Sequence, residues 1–123
     1  MPDMSLIREK LEQIEESMRR IERRSSSIES PEDFSVTEDN LDKLDAIAMM
    51  LLAIGESFKK IDIETDGRLL EKYPEIDWRG VIGLRNVLAH DYFDIDAEEI
   101  FKICKRDIPQ LIDTVQRMLR EIG

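Results

Sequence analysis

The chain is short of almost everything that builds sheets, staples or membrane spans. One cysteine, Cys104, among 123 residues excludes an internal disulfide. Its place in an apolar stripe makes it a small buried hydrophobe. Five glycines, four prolines and 6% aromatics, set against 37% charged residues, favour long helices over a turn-rich sheet protein. The longest apolar run, residues 46–54, is far shorter than the ~20 residues a bilayer-spanning helix needs. The N-terminus has no basic-then-apolar signal pattern, so the expectation is a cytoplasmic protein. Positive charge is scarce too: 18 Lys plus Arg stand against 28 Asp plus Glu, a net charge of −10. That balance opposes sequence-blind binding to a polyanion and makes any nucleic-acid contact local. Histidine occurs once, as His90.

What the chain does contain is helical periodicity. Ile7, Leu11, Ile14, Met18 and Ile21 recur in alternating steps of four and three, predicting a first helix from about Ser5 to about Ser25 with Asp3 as its cap. Ser30 and Pro31 suit the N-cap and first position of a short turn. Ser35-x-x-Glu38 is a capping box that predicts a second helix from about Val36 to about Ile61, with Leu41, Leu44, Ala48, Leu51, Gly55 and Phe58 along its stripe. Gly55 would let another backbone come close, and Glu56 beside it is expected to be solvated. Residues 62–74 form a connector, with a turn at Asp66-Gly67 and a possible short helix through Leu69, Leu70 and Tyr73. Asp77 is an N-cap for a third helix, with Ile76 and Val81 as a hydrophobic staple. Trp78, Val81, Ile82, Leu84, Leu88 and Ala89 make that helix apolar on more than one face, so it should be the most buried. Asp96-x-x-Glu99 is another capping box, and Ile100, Cys104, Ile108, Leu111, Val115, Met118 and Ile122 form the last stripe. Pro109 should kink that helix, or Asp107 should cap a restart there. The 123 residues are expected to form a single all-α domain, an antiparallel bundle of four to five helices with a kinked last helix.

The third helix carries the chemistry. Arg85-Asn86-Val87-Leu88-Ala89-His90-Asp91-Tyr92 joins a permanent cation, the lone imidazole and a phenol in the pattern Arg-x4-His-x-Tyr. Metal-free RNA cleavage needs a base for the ribose 2′-hydroxyl, an acid for the leaving 5′-oxygen and a cation where phosphate charge builds up. His90 cannot be base and acid in one step, so the chemistry calls for a homodimer that brings two His90 and two Arg85 into one cleft. Five residues of helix advance roughly 7.5 Å and turn by ~140°, so Arg85 must reach or the helix must end near His90. Tyr92 shares the face of Arg85, and Asn86, four residues before His90, can orient its imidazole. Arg79, Arg23 and Arg24 are secondary candidates for substrate contact, the last two in the cluster Arg19-Arg20-Ile21-Glu22-Arg23-Arg24. That cluster equally suits a helix C-terminus stabilised by its dipole.

The run from Trp78 to Phe93 resembles the signature of the HEPN superfamily, in particular its HepT-like toxin branch. Ala53-Ile54-Gly55-Glu56 and Pro74-Glu75-Ile76-Asp77-Trp78 look like that branch's second helix and its entry to the motif helix. The resemblance covers most of the chain and implies a small helical bundle that dimerises with the motifs facing across a cleft. It also implies a metal-independent ribonuclease acting as the toxin of a toxin–antitoxin pair, with Arg85 and His90 as the catalytic pair and Asn86 in support. It implies a nucleotidyltransferase antitoxin of the MntA type, which neutralises the toxin by attaching AMP to Tyr92. The added adenylate would bring negative charge and bulk beside Arg85, where substrate phosphate binds. No cofactor, metal or membrane is expected. The alternative is a catalytically silent HEPN module that binds nucleotide or a partner, and a third option is an acidic helical adaptor.

Overall fold

A computed structural model describes residues 3–90 and 95–122, with the side chains of residues 85–87, 89 and 90 outside the description. Among the described residues every regular element is helical: α1 (Met4–Ser25), α2 (Glu38–Glu64), α3 (Trp78–His90), α4 (Ala97–Lys102) and α5 (Ile108–Glu121).

The predicted stripe of α1 is the buried one, with Ile7, Leu11, Met18 and Ile21 sealed from solvent and Ile14 nearly so. Each such side chain contributes on the order of 1.5–3 kcal/mol. Asp3 caps the helix through a 3.0 Å hydrogen bond from Ser5 N. Contacts between helices give their directions. Lys10, early in α1, meets Glu64 at the end of α2 at 2.6 Å, while Arg24 reaches Met50 at 3.3 Å and Lys43 reaches Ser27 at 3.3 Å. α1 and α2 are therefore antiparallel. α1 and α5 are antiparallel as well, since Arg8 donates to Leu119 O at 2.5 Å, Gln116 to Glu15 at 3.0 Å and Lys105 to Ser25 O at 2.7 Å. Trp78 at the start of α3 lies 4.9 Å from Phe58 near the end of α2, and Leu88 lies opposite Leu44 and Ala48, so α3 runs against α2.

Several boundaries differ from the sequence expectation. Ser35 does not cap α2. It ends a 3-10 turn, Pro31–Ser35, and its hydroxyl donates to Glu32 O at 3.0 Å. Thr37 takes the role two residues later, accepting from Asn40 N at 3.1 Å. α2 also continues to Glu64 and closes in a Schellman arrangement. Gly67 N bonds Asp62 O at 2.8 Å and Asp66 N bonds Ile63 O at 3.2 Å, with Asp66 at φ 57°. Of the α2 stripe, Leu41 is exposed, whereas Ile47, Ile54 and Ile61 join the core, because α2 is covered from two sides.

The last helix is irregular before its proline rather than at it. Residues Ile103–Asp107 form a π-turn, with Ile108 N donating to Ile103 O five residues back. Asp107 makes no cap; it has helical angles and pairs with Arg106 at 3.2 Å. The widened turn absorbs the donor that Pro109 lacks and keeps the Ile100–Cys104–Ile108–Leu111 stripe on the core. Nor is α3 the most buried helix over its described positions. Val81, Ile82, Gly83 and Leu84 are half-buried and Arg79 and Gly80 exposed, because α3 packs chiefly on α2 alone.

Candidate functional site

Asp77 opens α3, accepting from Gly80 N at 3.1 Å, and Val81 N bonds Asp77 O at 3.0 Å. Ile76, buried just before this cap, lines one cleft with Val81, as the expected staple requires. Trp78 is tied down by its indole N–H, which donates to Tyr73 O at 2.9 Å. Anchored in this way, the helix carries the backbone of Arg85, Asn86 and His90 in its second half, with His90 as its last residue. The side chains of these three lie outside the described residues, and Tyr92 lies outside them altogether.

Beside this half of α3 runs a groove of about 660 Å³ lined by Leu44, Asp45, Ala46, Ala48, Met49, Leu52, Leu88 and Ile95. Its size falls within the ~300–1,000 Å³ usual for ligand clefts. Leu88 and Ile95 are the described side chains that flank Tyr92 in the chain. Glu56 departs from its solvated expectation: it is half-buried, its Oε2 is withdrawn from water, and it is engaged rather than free. The sequence signal for this was its place directly after Gly55, inside the apolar stretch from Met49 to Phe58.

The secondary candidates separate. Arg24, bonded to Met50, stands at the bundle end where Met49 borders the groove, with exposed Arg23 beside it. Arg19 pairs with Glu15 and Glu22, and Arg20 with Glu16, so half of the basic cluster is neutralised within its own helix. Arg79 lies at the opposite end of α3, eleven residues or ~16 Å along the axis from His90. Among the described residues no group of three or more His, Cys, Asp or Glu side chains could hold a metal ion. No described helix is long and apolar enough to cross a membrane. Cys104 is buried as expected, and burial pushes its thiol up to about 11. Burial, together with the hydrogen bond to Glu121, pushes the Tyr73 phenol up to about 12.

The family model described as ribonuclease HepT-like matches residues 14–118, almost the whole bundle. The chain belongs to the HepT-like family. A Methanocaldococcus jannaschii protein named "Putative RNase MJ1380" is 39% identical over 71 residues, covering 58% of this chain and 62% of that protein. A second from the same organism, "Putative RNase MJ1216", is 31% identical over 77 residues, 63% of this chain and 60% of the relative. The "Probable ribonuclease HepT" of Thermococcus cleftensis is 39% identical over 66 residues, 54% of this chain and 56% of the relative. The chain thus spans about 60% of the length of these curated relatives. No solved structure matches it.

Proposed function

We propose that this HepT-like chain is the RNA-cleaving toxin subunit of a toxin–antitoxin pair and acts as a homodimer without a metal ion. The observation that carries the reading is the Arg-x4-His spacing on α3 in a chain that belongs to the HepT-like family over residues 14–118. One His90 takes the proton of a ribose 2′-hydroxyl, whose oxygen attacks the adjacent phosphorus. The P–O5′ bond breaks, leaving a 2′,3′-cyclic phosphate, and the second His90 of the dimer protonates the departing 5′-oxygen. Arg85 balances the extra negative charge on the phosphorane oxygens, and Asn86 orients the imidazole. The exposed apolar side chains Leu41, Met49 and Ile63 on α2 support association, since they leave surface for a second copy.

A nucleotidyltransferase partner silences the subunit by transferring AMP to Tyr92. The adenylate puts negative charge close to Arg85 in the chain and so competes with substrate phosphate. The net charge of −10 suits a protein held in such a complex. The test is cleavage of single-stranded RNA in EDTA by the wild-type chain and by His90→Ala, with growth arrest scored in parallel. Loss of cleavage and toxicity in a folded variant is expected; full activity in that variant would overturn the catalytic role. Intact mass after co-expression with a nucleotidyltransferase should show adenylate increments that Tyr92→Phe abolishes.

A further inference from the structure

We infer that two copies of this chain pair through α2, antiparallel, about a two-fold axis at Leu52. The inference rests on the dimeric reading above and adds which helix meets which. Leu41, Asp45, Leu52, Lys59 and Ile63 follow one another at spacings of four, seven, seven and four residues. At ~100° per residue they stay within ~40° of one another, so they form a single stripe along the helix. The order of spacings is the same read from either end. A two-fold axis at Leu52 therefore sets Leu41 against the partner's Ile63, Asp45 against the partner's Lys59, and Leu52 against its own copy.

The exposures fit a face that a single chain leaves uncovered. Leu41 is 42% exposed, Ile63 67%, and Met49, on the edge of the same stripe, 63%. Leu52 is half-buried, and Asp45 and Lys59 are exposed with no ion pair among the described residues. Scattered apolar side chains are ordinary on a surface, but here they align, and the two charges between them are complementary under the same symmetry that matches the apolar ends. With one acid and one base among apolar side chains, this stripe offers a polyanion no net positive charge, so a second copy is the occupant the chemistry favours here.

The pairing also bears on the motif. α3 packs on α2 near Leu44, Ala48 and Phe58, ~40–120° around α2 from the stripe, and Asp45 and Leu52 of the stripe line the groove beside Leu88. The two-fold axis is normal to the plane holding both α2 helices, so both copies of α3 stay on the same side of that plane. The two motif helices then flank one shared opening.

The test is sedimentation equilibrium of the full chain with charge-reversed variants. Asp45→Lys sets two lysines against each other at both ends of the contact, and Lys59→Asp does the same with two aspartates. Each variant alone should dimerise on the order of tenfold or more weakly than wild type. An equimolar mixture of the two should recover the dimer, because both contacts then join opposite charges. Both positions are exposed, so circular dichroism should report unchanged helix content. A monomeric wild type, variants that dimerise like wild type, or a mixture that stays dissociated would each overturn the pairing. RNA cleavage in the same samples separates the two readings. A wild-type dimer that cleaves RNA but ignores the swaps leaves the nuclease proposal standing and removes this interface.

Discussion

Replacing Gly83 by alanine should stabilise this protein, whereas the same change at Gly80 should not. Both glycines are in the first half of α3, where glycine costs ~0.8–1 kcal/mol relative to alanine through backbone entropy. At Gly83 an added Cβ would meet nothing within 4 Å among the described residues, so none of them has to give way to accept it. The full propensity gain, about 1 kcal/mol, should appear. At Gly80 the Cβ would fall 2.6 Å from Asp77 Oδ2 and 3.1 Å from its Cγ. The carboxylate must swing away, and it is the cap that accepts the Gly80 N–H at 3.1 Å. Losing that cap costs ~1 kcal/mol and cancels the propensity gain. With an unfolding entropy of ~2.1 cal/mol/K per residue, 1 kcal/mol shifts the Tm of a chain this size by roughly 4 °C. Differential scanning calorimetry and guanidinium unfolding at low protein concentration should therefore place Gly83→Ala about 4 °C above wild type and Gly80→Ala within about 1 °C of it. Equal shifts in the two variants, or a destabilised Gly83→Ala, would refute the reasoning from local space and capping.

The reassigned cap of α2 is tested by Thr37→Ala, which should cost ~1 kcal/mol, against Ser35→Ala, which should cost a few tenths in the same denaturant assay. Phe58→Ala removes a sealed ring that packs at a tilt of 55° against Trp78 and should cost ~3–5 kcal/mol, with loss of the near-ultraviolet tryptophan signal. Cys104 should react with a thiol reagent at pH 8 far more slowly than a free thiol and reach the free rate on unfolding, because the buried group holds its proton to about pH 11. The Tyr73 phenol is raised in the folded state from 10.0 to about 12, so its contribution to stability is complete below pH 10 and lost as pH rises towards 12. Alkaline titrations of stability should steepen in that window, and Tyr73→Phe should flatten them.

The local part of this fold was legible in the residues. The α1 stripe, the caps at Asp3, Asp77 and Asp96, and the Asp66-Gly67 turn all depend on neighbours a few positions away, and each stands where periodicity and capping chemistry put it. The spacing of Arg85 and His90 along one helix follows in the same way, from a rise of ~1.5 Å per residue. Choices between near-equal local options needed the tertiary structure. Ser35 and Thr37 offer the same cap chemistry, and the turn after Pro31 decides between them. Pro109 demands some break in hydrogen bonding, but packing of Ile100, Cys104 and Ile108 decided that it is a π-turn over residues 103–107. Whether Leu41, Met49 and Glu56 face water or protein depends on which helices reach α2, and that is set by contacts far apart in the chain. Short-range hydrogen bonding makes the helices, so the sequence alone determines them; burial is a property of the whole arrangement, so only the packed bundle decides which faces remain open.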